Sequence, residues 1–179
     1  YAETLDIHEI IPRAEIAVCN PNVAISTFEH LCDALIKDGQ FERAKEILFR
    51  NRKRLQLRGH RLMMHILFYE EMNYQEVVNY LKKAPENIVS RSEFATHLAL
   101  SLFEIGKVDQ AHETLSELVS KGCINAGFTK YELYRLADEN KNALRVLNDL
   151  YAHHGMSGFE RKWAENGFIL DSILPTPSP

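Results

Sequence analysis

Six basic residues crowd one short stretch of this chain: Arg50, Arg52, Lys53, Arg54, Arg58 and Arg61. Arg50, Arg54 and Arg58 follow i, i+4, i+8 spacing, so on a continuous helix their guanidinium groups would line one face. A guanidinium is planar and permanently charged, and its fork matches carboxylate or phosphate oxygens two at a time. The chemistry on offer is recognition of an anion, either an acidic patch on a protein partner or the phosphate backbone of RNA. The plainer reading is a solvated helix whose charge offsets an acidic remainder. Residues 41–61 carry a local +6 and the other 158 residues carry −10, within a net charge of −4.

No second group of side chains has the spacing of a reactive site. Among eight histidines, His60 and His65 are five apart, His153 and His154 are adjacent, and His30 and Asp33 share a helix face. None of these gathers three or four zinc-type ligands, so no metal is expected. Glu70 and Glu71, and likewise Glu42 and Glu46, read as solvated helix faces rather than as a paired acid and base. Gly-rich phosphate loops, nucleophile elbows and His-Glu-x-x-His signatures are absent. The sequence therefore predicts no enzyme, no cofactor and no small-molecule substrate. At the far end Trp163, Phe168, Ile169, Leu170, Ile173 and Leu174 form an apolar cluster. It would cap the open end of a helical stack, or else dock another chain.

The elements that must position these residues recur along the chain. Gly39-Gln-Phe-Glu-Arg-Ala44 and Gly106-Lys-Val-Asp-Gln-Ala111 share the form Gly-x-apolar-x-x-Ala and lie 67 residues apart, two periods of 33 and 34. A degenerate copy, Met72 to Val77, falls between them. In register stand Phe41, Tyr74 and Val108, then Ala44, Val77 and Ala111, then Leu48, Leu81 and Leu115. In the preceding helix Leu31, Met64 and Leu98 agree, as do Leu35, Phe68 and Leu102. Each unit reads as a helix, a tight turn at a glycine able to adopt positive φ, and a second helix whose small alanine lets the pair close. A fourth, weaker pair places Ala143 and Leu147 in register, with Asp138 in place of the turn glycine.

The expected architecture is all-α, a right-handed solenoid of antiparallel helix pairs. An N-terminal helical segment (1–21), with a break at Pro12, precedes about four pairs (22–155), a capping helix and apolar segment (156–174) and a Pro-rich tail (175–179). Paired helices are expected near 27–38 and 41–57, 60–71 and 74–83, 91–105 and 108–121, and 130–138 and 140–154. Ser26-x-x-Glu29, Ser90-x-x-Glu93 and Thr129-x-x-Glu132 read as helix-opening capping boxes. The greasiest run, Leu62 to Tyr69, is too short to cross a bilayer. Cys19, Cys32 and Cys123 are odd in number and widely spaced, which points to small buried hydrophobes in a reducing compartment. The chain opens on Tyr1 with no basic, apolar or Arg/Ser-rich leader, so its termini carry no readable address.

The unit from Ser92 to Ala126, with Gly106, Ala111, Leu115, Leu118, Val119 and the ending Ser120-Lys121-Gly122-Cys-Ile-Asn125, resembles a pentatricopeptide repeat; the unit from Asn22 to Gly59 is similar. The tetratricopeptide Trp, Gly-Tyr and Pro landmarks are missing. The order of the units further resembles the C-terminal end of leucine-rich members of that family in animals. The resemblance implies a mitochondrial RNA-stabilising protein acting with a small RNA-recognition-motif partner, with the nucleus as the alternative address. It also implies where bases would be read: at Glu29 with Gly59 and at Thr96 with Ala126. Neither pair is a recognised combination, and Glu29 would repel phosphate. The expectation is a scaffold for a protein partner. The alternatives are a direct single-stranded RNA binder with phosphate-dominated contacts and a tetratricopeptide-like peptide adaptor.

Overall fold

A computed structural model describes residues 6–20 and 22–165, with side chains through Gly155 in the last helix. Among the described residues every regular element is helical: α1 (Ile7–Val18), α2 (Ile25–Lys37), α3 (Phe41–Arg50), α4 (Arg52–Met64) running into a π-helical turn (His65–Glu70), α5 (Tyr74–Lys83), α6 (Glu86–Val89), α7 (Ser92–Glu104), α8 (Val108–Ser120), α9 (Ile124–Leu136) and α10 (Asn140–Glu165). The chain divides into two compact units, Tyr1–Tyr80 and Leu81–Pro179. In the first, α1 packs on α2, α2 on α3 and α3 on α4; in the second, α7 packs on α8, α8 on α9 and α9 on α10. Helices thus pair with their neighbours in sequence. One further contact in each unit skips a helix, α2 with α4 and α7 with α9.

The period visible in the sequence is the period of burial. Helices α3, α5 and α8 open on Phe41, Tyr74 and Val108, the residues that stand in register. One turn on, Ala44, Val77 and Ala111 have no exposed surface, and Leu48, Leu81 and Leu115 are buried behind them. Leu31, Met64 and Leu98 occupy the buried stripe of the preceding helices. Apolar residues at three- and four-residue spacing make one sticky face per helix, and a methyl-sized side chain at the crossing lets two such faces meet.

The turns recur as well. Gly39 and Gly106 take φ of 72° and 78°. Beyond them the amide of Gln40 donates to the Leu35 carbonyl, and that of Lys107 to the Leu102 carbonyl, both at 2.8 Å. These bonds satisfy carbonyls that the helix end leaves open. The two degenerate copies keep this conformation without glycine: Met72 has φ 47° and Asp138 φ 60°, with Asn73 N bonded to Leu67 O and Glu139 N to Tyr134 O, again at 2.8 Å. A side chain in the left-handed region costs about 1–2 kcal/mol through the approach of Cβ to the carbonyl oxygen, and aspartate tolerates it better than methionine does. Met72→Gly is therefore expected to stabilise the protein by about 1 kcal/mol, net of the freedom glycine adds to the unfolded chain. Asp138→Gly should gain less. Urea unfolding followed at 222 nm measures both, and an unchanged or lowered midpoint for Met72→Gly would count against strain at that turn.

Several expectations are corrected. The helix foreseen over 41–57 breaks: α3 stops at Arg50, α4 begins at Arg52, and Gln56 interrupts it with φ 45° and ψ −126°. Between Leu48 and Leu55 only Phe49 is apolar, and it is exposed, so nothing there holds a straight helix to its neighbour. Like charges at i, i+4 also repel along it. The three capping boxes do not open helices. Helix α2 starts at Ile25 behind Ala24 and α7 at Ser92 behind Arg91, both without a side-chain cap. Helix α9 starts at Ile124, which leaves Thr129 inside it, its hydroxyl donating to the Asn125 carbonyl at 3.0 Å. Gly122, with φ 76°, turns the chain so tightly after α8 that α9 begins at once. Helix α1 runs through Pro12, at the cost of the backbone bond that the missing N–H would have made one turn back. Cys32 is buried, and burial, helped by Asp33 and Glu29, pushes its thiol up to about 12; Cys19, by contrast, is exposed.

Candidate functional site

The break between α3 and α4 scatters the basic stripe. Arg50 closes α3 and pairs with Glu46 one turn back. Arg52 opens α4 with its guanidinium over the Phe49 ring, 4.6 Å from the centroid. Lys53 is exposed. Arg54 reaches the start of α2 and the segment before it, lying 4.8 Å from the Phe28 centroid and donating to the Val23 carbonyl at 2.8 Å. Arg58 donates to both carboxylate oxygens of Glu29, at 3.1 and 3.0 Å. Arg61 lies beside that pair. Arg50, Arg54 and Arg58 therefore share no helix face, and each already holds an acceptor within the chain.

Two grooves open between helices that skip a partner. In the first unit Glu29 and Asp33 of α2 face Arg58, Arg61 and Leu62 of α4 across a groove of about 240 Å³. In the second, α7 supplies Glu93, Thr96 and Leu100, and α9 supplies Asn125, Phe128 and Glu132, around a groove of about 500 Å³. Its floor is apolar, with Phe128 buried. Two carboxylates line it, and among the described residues no lysine or arginine does. Glu132 Oε2 accepts from Arg135 Nε at 3.0 Å, whereas its Oε1 is buried without a hydrogen-bond partner. His97, also on this groove, bonds through Nδ1 to the Glu93 carbonyl at 2.6 Å. This groove escaped sequence reasoning. Its signal is the 67-residue offset, which sets Thr96 against Glu29 and Asn125 against Arg58.

The residues that the resemblance offered for base reading are withdrawn from solvent at one end: Gly59 is buried and Ala126 has no exposed surface. The acidic pairs already have partners within the chain. Lys45 bridges Glu42 at 2.6 Å and Glu71 at 2.8 Å. Burial pulls the Lys45 ammonium down, but the hydrogen bonds to these carboxylates outweigh it and hold the group above its usual value. Glu70 meets His65 at 3.2 Å. On α8, His112 is buried and stacked on Tyr134 of α9, with ring centroids 3.7 Å apart, and neither ring nitrogen has a hydrogen-bond partner. Burial, and secondarily the charge of Lys130, lowers its pKa, so the ring is neutral at physiological pH and packs as an aromatic. Among the described residues no three His, Cys, Asp or Glu side chains come together as a metal site, and no helix is long and apolar enough to cross a membrane. Trp163, Phe168 and Leu170, expected as a cap or docking surface, lie outside the residues whose side chains are described.

Fold and grooves together define a class: helices packed as sequential pairs, with a trough between alternate helices in each unit. Comparison with family models, with curated proteins and with solved structures finds no match to this chain.

Proposed function

We propose that this chain is a non-catalytic binding module, a right-handed solenoid of pentatricopeptide-type helix pairs that serves mainly as a scaffold for a protein partner within a protein of RNA metabolism. The observation that carries this reading is the recurrence, at one period, of the same left-handed turn and the same fully buried small or branched residue at Ala44, Val77 and Ala111. Such repeats build extended surfaces rather than enclosed catalytic pockets. A mitochondrial, RNA-stabilising setting and a small RNA-recognition-motif partner rest only on the resemblance of the order of the units to the C-terminal end of leucine-rich pentatricopeptide proteins of animals. A protein partner is favoured over direct RNA contact because Arg50, Arg54 and Arg58 are engaged within the chain, and because carboxylates line the trough of the second unit.

The test separates the two. After affinity purification of the tagged chain from cells, ribonuclease treatment should leave the protein partner bound. In filter binding with several unrelated single-stranded RNAs, the isolated chain should show no measurable affinity at physiological salt. Direct RNA binding would appear instead as affinity that is indifferent to sequence, lost in Arg52→Glu/Lys53→Glu, and falling with log salt at a slope of about −0.7 per phosphate neutralised. That outcome, or release of the partner by ribonuclease, would overturn the scaffold reading.

A further inference from the structure

One position changes its chemistry from copy to copy of the repeat. Directly after the buried Ala44, Val77 and Ala111 stand Lys45, Val78 and His112. In the first copy the ammonium is held between two carboxylates, Glu42 at 2.6 Å and Glu71 at 2.8 Å. In the second, Val78 has no exposed surface and no polar group to satisfy. In the third, the imidazole of His112 is 8% exposed, lies on the Tyr134 ring of α9 at an interplanar angle of 13°, and has no hydrogen-bond partner at either nitrogen. Asp109 matches Glu42, three residues back along the helix. Ala137, however, precedes the turn at Asp138 as Glu71 precedes the turn at Met72. The third copy thus places a titratable ring where the first has a cation, without the carboxylate that meets that cation from the next helix.

We propose that His112 is an acid-sensitive latch in the second unit: taking up a proton loosens α8 from α9, and with them the trough between α7 and α9. An imidazolium carries an N–H at both ring nitrogens and needs an acceptor for each. Tyr134 cannot supply one, because it covers the face of the imidazole while those N–H groups point outward in its plane. The charges that act on the ring are Lys130 of α9, which repels the added proton, and Glu139 before α10 and Asp109 of α8 itself, which attract it without reaching a nitrogen. Among the described residues α7 adds no charge to this set. Lys130 is kept in place by Ser116, to whose hydroxyl oxygen it donates at 2.8 Å. Burial first, and Lys130 second, therefore hold the ring below its ordinary pKa. The unfolded chain then takes up the proton more readily than the folded one. The stability that the neutral stack contributes is complete above about pH 6.5, where a free histidine titrates, and is lost as pH falls below it. Because α7 and α9 both pack on α8, the trough that they line depends on that contact.

The experiment is urea unfolding of the whole chain, followed at 222 nm from about pH 7.5 down to about pH 5.5, on either side of the ordinary histidine value, for wild type, His112→Phe and Ala137→Glu. Phenylalanine keeps the stack on Tyr134 and cannot take a proton. Comparing the chains at each pH cancels the other histidines, among them His60, which burial also holds down but which bonds to the Tyr80 hydroxyl at 2.8 Å. Wild type and His112→Phe should unfold at similar urea concentrations at the upper end. Below about pH 6.5 the wild-type midpoint should fall away from that of His112→Phe, and the gap should widen with each step down. Ala137→Glu restores the carboxylate that Glu71 supplies in the first copy, and should flatten the wild-type dependence. Hydrogen exchange at the lower end locates the loss: amides of α8 and α9 should exchange about threefold or more faster in wild type than in His112→Phe. Midpoints of wild type and His112→Phe that run parallel across the range, or equal exchange in α8 and α9, would each overturn the latch. Should His112→Phe not fold, Ala137→Glu decides, and an acid loss as steep as that of wild type would overturn it as well.

Discussion

Ala111→Leu is expected to destabilise the second unit by about 1–3 kcal/mol through overpacking. Ala111 has no exposed surface and sits on α8, which is held between α7 and α9. Three added heavy atoms have nowhere to go unless the helices part or a neighbour leaves its rotamer. Ala44→Leu, at the matching place on α3 and equally buried, should behave alike in the first unit. Glu113→Leu is the control, two positions along α8 from Ala111 but exposed, with the same new side chain and room for it. Urea unfolding by circular dichroism compares them, and a loss for Ala111→Leu no larger than for Glu113→Leu would remove the role given to the small residue.

Gly127→Ala should also be destabilising, although alanine is the better helix former by about 1 kcal/mol. A Cβ at Gly127 would lie 2.4 Å from Leu150 Cδ2 and 2.7 Å from its Cδ1. Leu150 is only 2% exposed and is enclosed by Phe128, Ala143, Val146 and Leu147, so it cannot swing into solvent. Crowding at about 1–3 kcal/mol offsets the helical gain and, with Leu150 held on all sides, exceeds it, for a net loss of up to about 2 kcal/mol. The origin can be checked directly with a double-mutant cycle. Leu150→Ala alone should cost about 2–5 kcal/mol, but combined with Gly127→Ala the two should be less damaging than their sum, because the new methyl enters the space that the leucine leaves. Strict additivity would show that the contact is not what makes glycine necessary.

Glycine at 127 illustrates what a one-dimensional pattern hides. Gly39 and Gly106 announce themselves because they recur with an alanine five residues on, so a turn and a packing site are visible together. Gly127 recurs with nothing; its need arises from a leucine on the next helix, which only folding brings near. The same holds for Asp138 and Met72. Their place in the register marked both as turns, but that they take up positive φ without glycine is decided by the helices on either side, whose burial fixes where the chain must reverse.

The sequence by itself determined the all-helical class, the period near 33–34, and the residues buried at each helix crossing. These follow from apolar spacing and side-chain size, which are local properties repeated along the chain. It did not determine the fate of the charged residues. Helical spacing predicted one face for Arg50, Arg54 and Arg58, yet a helix persists only where an apolar stripe anchors it, and that stripe lapses after Leu48. The break sends Arg54 to Val23 and Arg58 to Glu29, partners about thirty residues away that no local rule selects. The α7–α9 groove was hidden for the same reason: which side chains line one trough is visible only once α7 and α9 lie side by side, because electrostatic and packing partners are settled by distance in space, and the sequence records distance only along the chain.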